Sequence, residues 1–288
     1  MNPALSAHIQ DWCLRPTDLW DCETTRLLVR REWETLRNQL SWHQDDYNTA
    51  GYILNTPNFI ASKRSISTWP NENQIYLEAP CSNELHLFYT ENDLSLVEED
   101  DLLSIGAVEK LDDALKFLGS VHGLVDCVTQ LVRVIGVLKS PSPEVDVSYS
   151  HPTVPFSIFV SICNERSIVA SARVAESILH EAMHLRLSLI QKVVDLLNPG
   201  SQGQAQYFAP WRQEERPANG ILHGTFVFRA ILEFFKRLAS DNRDDQVIKY
   251  SEQRIREISS QLVQVRDFYK SPALSATGAE LARQLANI

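Results

Sequence analysis

Apolar side chains recur three and four positions apart along much of this chain, the spacing that lines one face of a helix. Val29, Trp33, Leu36 and Leu40 form one such stripe and predict a helix over 24–40, with Arg30, Arg31, Glu34 and Arg37 on the opposite, solvated face. Leu111, Leu115 and Leu118 predict a helix over 108–118, and Val128, Leu131 and Ile135 another over 124–138. Val174, Ile178, Leu185 and Leu189 mark a long helix, since no Gly or Pro interrupts 166–198 and the stop signal is Asn198-Pro199-Gly200. Phe226, Ala230, Phe234 and Leu238 mark the next. Val247, Ile255, Ile258, Leu262 and Val265 place a further helix over 244–269, ended by Ser271-Pro272, and a short one closes the chain over 277–285.

Between these helices the apolar period changes to two, the strand period. Strands are expected over 74–79 and over 84–90, where Leu85, Leu87 and Tyr89 alternate with His86 and Phe88, and Pro80 with Ser82-Asn83 suggests a hairpin between them. Val145, Val147 and Tyr149 alternate, and 156–162 is an apolar run after Pro155; these two strands lead into the long helix. Residues 41–73 are rich in Asn, Asp, Ser and Thr, with Trp42, His43, Tyr47, Tyr52, Phe59 and Trp69 as aromatic anchors of an irregular stretch. The acidic run Glu98-Glu99-Asp100-Asp101 reads as a solvated turn before a helix, and Ser201-Gln202-Gly203-Gln204 as a flexible loop. The fold class expected is mainly α (α+β): a helical protein with a small β-sheet and the long helix in its core. Ser140-Pro141-Ser142-Pro143 is the best internal boundary, separating an N-terminal region, 1–140, suited to substrate binding, from a second part, 141–288, within one compact unit.

Composition narrows the partners. A hydrophobic content of 44% in 288 residues is enough for a sizeable core. The net charge of −10 argues against a nucleic-acid backbone or an anionic membrane as the main partner. Cys13, Cys22, Cys81, Cys127 and Cys163 are odd in number, spread out and without a C-x-x-C pair, as expected of reduced thiols in a cytoplasmic protein rather than a disulfide framework. Met1-Asn2-Pro3-Ala4-Leu5 lacks the pattern of a signal peptide, and the apolar run at 131–138 is broken by Arg133, so no membrane span is expected.

The long helix carries His180-Glu181-Ala182-Met183-His184. Residues four apart share a helix face, so both imidazoles can address one metal ion with Glu181 beside it. The plain structural alternative is two core histidines sharing a helix. A third ligand is expected, because zinc hydrolases and non-haem iron oxygenases usually supply three. The metzincin extension would need Gly and His where Leu187 and Ile190 stand. A downstream Glu, such as Glu214, Glu215 or Glu233, would suit a gluzincin, but Phe234 and Phe235 beside Glu233 do not suggest a site. His223, beside Gly224, which would allow close approach, is the preferred third ligand. It ends a block from Phe208 to Gly224 that also holds Trp211, Arg212 and Arg216 between turn-forming Pro and Gly residues. Arginines near a metal suit an anionic ligand such as a carboxylate. Ion pairs of Arg212 or Arg216 with Glu214, Glu215 or surface acids are the alternative.

His180-Glu181-x-x-His184, with Pro210-Trp211-Arg212, Arg216-Pro217 and Gly220-x-x-His223-Gly224, resembles the HExxH proteins encoded beside ribosomally made, post-translationally modified peptides. The resemblance spans about 149–228, with weaker support from Leu274-Ser275-Ala276-Thr277-Gly278. It implies an iron(II)- and 2-oxoglutarate-dependent hydroxylase of a side-chain β-carbon in a precursor peptide. Iron would then be held by His180, His184 and His223, and Arg212 or Arg216 would hold the distal carboxylate of 2-oxoglutarate. Glu181 would orient a ligand or a metal-bound water rather than act as a base. The competing expectation is a Zn2+ metallopeptidase in which Glu181 is the catalytic general base. A metal-stabilised peptide-binding module without catalysis is the third. The sequence leaves the oligomeric state open.

Overall fold

The computed structural model describes residues 3–16, 18–40, 64–66, 75–78, 83–142, 144–200 and 205–286. It is mainly helical with a small mixed sheet and a two-stranded hairpin, an α+β chain as expected. In order, the elements are α1 (Pro3–Leu14), α2 (Cys22–Leu40), β1 (Arg64–Ile66), β2 (Ile75–Glu78), α3 (Asn83–Glu91), α4 (Glu99–Ser104), α5 (Ala107–Gly119), α6 (Leu124–Leu131), β3 (Val134–Leu138), β4 (Ser148–Tyr149) and β5 (Ser157–Ser161). There follow α7 (Ile168–Gln191), β6 (Gln206–Ala209), β7 (Glu214–Pro217), α8 (Ala218–Asp241), α9 (Asp245–Gln264), a 3-10 turn (Phe268–Lys270) and α10 (Ala276–Leu285). The residues group into two compact units, Met1–Thr24 with Arg186–Ile288, and Thr25–Leu185, so the dividing points fall inside α2 and α7.

The Thr25–Leu185 unit is built on the sheet, in the order β1-β2-β3-β5-β4. β2, β3 and β5 are parallel, and the outer pairs β1–β2 and β5–β4 are antiparallel. Every residue of β3 and β5 is buried, which is why both read as continuous apolar runs rather than alternating ones. Gly136 sits where a Cβ would lie 2.5 Å from the Phe159 ring, so the smallest residue lets the central strands accept that ring. Leu111, Leu115 and Leu118 of α5 and Val128 and Leu131 of α6 are buried as their spacing predicts, and Trp33 of α2 stacks on Phe156 at 4.5 Å.

In the other unit α8 and α9 pack together, and α1 packs on α10. Asp244 starts α9 by accepting from the Gln246 and Val247 amides. Arg186 is fully buried; it donates to the Asp21 carbonyl at 3.0 Å and lies 4.9 Å from the Trp12 ring centroid. Asp21 in turn caps the start of α2, accepting from the Glu23 and Thr24 amides.

Several expectations are corrected. The stretch 84–90 is not a strand of a hairpin but lies in α3. Leu87 is 65% exposed while Tyr89 is buried, so the alternation of apolar residues is not the pattern of burial. The helix begun at Leu124 stops at Leu131. Val132 turns extended, and the β-branched run beyond it becomes the central strand β3. The acidic run opens α4 instead of preceding it, with carboxylates at the positive end of that helix. The motif helix ends at Gln191, well before Asn198. There Leu197 bridges to Leu274, and the Asn198 side chain donates to the Pro272 and Leu274 carbonyls. Most of 41–73, and 201–204, lie outside the described residues.

Candidate metal centre

α7 is buried on nearly every face, and in its Thr25–Leu185 part the half-exposed positions are spaced along one stripe that includes Arg173, Glu176, His180 and His184. An apolar helix with one polar stripe presents that stripe to whatever the stripe binds. Arg173 anchors the helix, pairing through Nε and a terminal nitrogen with the two Asp146 oxygens, each at 2.9 Å.

His180 and His184 meet as the four-residue spacing predicts. Their Nε2 atoms are 3.1 Å apart and their ring centroids 4.8 Å apart. Two imidazoles placed side by side on an octahedral ion, with metal–nitrogen bonds of about 2.1 Å, would have those atoms about 3.0 Å apart. That spacing is compatible with two ligands of one divalent ion, and equally with a hydrogen bond between the two rings.

Glu181 has partners of its own. It is 3% exposed, and both its oxygens are occupied: Ser148 Oγ donates to Oε1 at 2.6 Å and Ser150 Oγ to Oε2 at 2.5 Å. Oε1 is also 3.9 Å from His180 Nε2. Side chains two apart along an extended chain share a face, so Ser148 and Ser150 reach one carboxylate while Tyr149 faces the other way. The Tyr149 hydroxyl donates to Asn92 Oδ1 at 2.5 Å, and its ring stacks on His151. Burial, then the negative charge of Glu181, push the Tyr149 phenol above its ordinary pKa. Sequence reasoning missed both serines. The signal was present in the alternation Ser148-Tyr149-Ser150, which places two hydroxyls on the face opposite Tyr149.

The remaining predicted residues belong to the other unit. His223 lies inside α8, not ahead of it, and its Nε2 is 2.9 Å from Gln191 Oε1. Gln191 also donates through Nε2 to Asn219 Oδ1 at 2.7 Å. Phe208-Ala209 and Glu214-Glu215 pair in the β6–β7 hairpin, whose turn holds Pro210, Trp211 and Arg212. Gly224 does allow a close approach, but by the Trp211 indole: a Cβ there would lie 2.0 Å from that ring. Arg216 lays its stem over Gly220 and pairs with Glu214, Nε to Oε1 at 2.7 Å. Arg212 is exposed and has no ion pair among the described residues. Glu233, the alternative ligand, pairs with Arg229 and Lys236.

Among the described residues no group of three His, Cys, Asp or Glu side chains is assembled around a metal position. No protein-family model matches the chain, and no curated protein matches its sequence. No helix among the described residues is long and apolar enough to cross a membrane.

Proposed function

We propose that this chain is an iron(II)- and 2-oxoglutarate-dependent oxygenase that hydroxylates a side-chain β-carbon of a ribosomal precursor peptide. The observation that carries the reading is the state of Glu181. A peptidase uses that carboxylate to take a proton from metal-bound water; here each oxygen gives one of its two acceptor sites to a serine hydroxyl, which fixes the group in place. A carboxylate so held suits a residue that positions a ligand and sets the charge beside it.

Bound iron and cosubstrate would supply oxidation of an unactivated C–H bond by dioxygen, coupled to decarboxylation of 2-oxoglutarate. His180 and His184 would hold the ion through Nε2, and His223, which lies in the other unit and bonds Gln191, is the third ligand that the resemblance implies. Arg212 is the better candidate for the distal carboxylate of 2-oxoglutarate, because Arg216 is already neutralised by Glu214. The sheet order ends at β4, beside Glu181, and an edge strand can take an extended peptide by strand addition. The five thiols suit work in a reducing cytoplasm.

The zinc peptidase reading draws on the 3.9 Å approach of Glu181 to His180, the neighbourhood a general base would occupy. Turnover separates the two. With iron(II), dioxygen and 2-oxoglutarate, the oxygenase should form succinate slowly even without peptide, and His180→Ala or His184→Ala should abolish it. Zinc-dependent cleavage of peptides, lost in Glu181→Gln and accompanied by no succinate, would overturn the oxygenase.

A further inference from the structure

β4 ends the sheet order and pairs with β5. The Ser161 amide donates to the Val147 carbonyl at 2.7 Å, and the Val147 amide to Ser161 Oγ at 2.8 Å. Alternate residues of an antiparallel pair turn their backbone groups to the partner, so Val147 and Tyr149 face β5 and Ser148 holds its N–H and C=O to the outer side. Residues 147–151 are all partly exposed. Their side chains divide between the two faces of the sheet. Ser148 Oγ is bound to the Glu181 Oε1 that lies 3.9 Å from His180 Nε2, so one face of the strand looks towards the histidine pair. Tyr149 and His151 occupy the other face, their ring planes 10° apart, and the Phe88 ring of α3 lies 6.4 Å from the first and 6.0 Å from the second.

A strand added to this edge alternates in step with β4. Any residue of it whose side chain is directed to the histidine pair therefore has its two neighbours on the Tyr149–His151 face. That face carries aromatic surface and negative charge. Tyr149 donates to Asn92 Oδ1, and the residues flanking Asn92, Glu91 and Asp93, are exposed and make no ion pair among the described residues. Aromatic faces and uncompensated carboxylates both favour a cation. We propose, resting on the reading of the chain as a peptide-modifying enzyme, that the β4 edge takes its substrate as an extended segment with Lys or Arg next to the residue presented to the histidine pair. The Ser148 N–H and C=O pair with the peptide backbone, and the cation lies on the aromatic face beside Glu91 and Asp93. The net charge of −10 suits such a segment.

The test reads binding with no cosubstrate present, so it stands or falls apart from the oxygenase chemistry. Fluorescein-labelled Thr-Lys-Thr-Lys-Thr-Lys-Thr is titrated with the full chain and followed by anisotropy, beside the same peptide with Glu for Lys. The Lys peptide should bind saturably and about tenfold or more tighter than the Glu peptide, and it should slow amide hydrogen exchange over 147–151. Glu91→Gln with Asp93→Asn, where Asn tolerates the left-handed backbone at 93 (φ 53°), should remove most of that preference. His151→Ala should weaken the Lys peptide about threefold. No saturable binding, a Glu peptide that binds as well, a preference unchanged in the folded double variant, or binding that leaves exchange over 147–151 unaltered overturns the site. So does exchange there that is slow in the free chain and quickens on dilution, since a second copy then occupies the edge. The expected binding with no succinate formed would count against the oxygenase alone.

Discussion

Glu181 is held by two hydroxyls, from Ser148 of β4 and Ser150 just after it, and its burial makes them matter. Removing both, in Ser148→Ala with Ser150→Ala, leaves a buried carboxylate short of donors. Hydrogen bonds to a charged group are worth about 1.5–3 kcal/mol each, so urea unfolding should show a loss of that order per serine. Iron affinity should fall about tenfold or more, as is usual when a residue supporting a metal ligand is lost. An unchanged affinity would mean that Glu181 does not serve the metal pair. Gly224→Ala is expected to cost about 1–3 kcal/mol, because the Trp211 indole must leave its place on α8. At this scale the histidine pair was legible in the sequence, since helical spacing alone brings His180 and His184 together. The tasks of Gly224 and Arg216 were not, because both depend on a hairpin whose register no local pattern announces. The ion pair weighed for Arg216 is the one it makes.

The helices were legible wherever an apolar stripe ran for three turns or more, as in α5, α8 and α9. Short runs were not. Residues 84–90 and 132–138 are both brief and apolar, and one became a helix and the other a central strand according to what each packs against. Phe88 and Tyr89 of α3 join Leu138 of β3 and Phe159 of β5 in one cluster, a fact of tertiary structure. Two predictions belong to single helices. Asp244→Ala removes the cap of α9 and should lower stability by about 1 kcal/mol, read as a lower midpoint in urea. In α10, the Glu280 carboxyl is held down to about 2, first by hydrogen bonding from Arg283 and then from Gln284. A depressed carboxyl contributes stability above its ordinary value of 4.5 that is lost as pH falls towards 2. The pair is exposed, so the effect is small. Glu280→Gln should match the wild-type melting temperature near pH 2 and fall slightly below it at pH 7.

For the whole molecule, the boundary expected at 140–143 came from composition, whereas the two compact units divide inside α2 and α7, where composition does not change. Cys13, Cys22, Cys127 and Cys163 form no disulfide. Cys13 is fully buried, and its thiol is pushed up to about 12 by burial, against the opposing charge of Arg186. Iodoacetamide at pH 8 should therefore spare Cys13 in the folded chain and modify it after unfolding, as peptide mass spectrometry would show. The same burial of α7 that protects its apolar faces leaves the histidine pair as its half-exposed chemistry, and the central claim rests there. The most direct test is the visible spectrum of the iron(II)-loaded chain under anaerobic conditions as 2-oxoglutarate is added. The oxygenase reading predicts a charge-transfer band that saturates with 2-oxoglutarate, disappears in His180→Ala and is weakened in Arg212→Ala. A spectrum that 2-oxoglutarate leaves unchanged, from a chain that binds zinc tightly in its place, would contradict it.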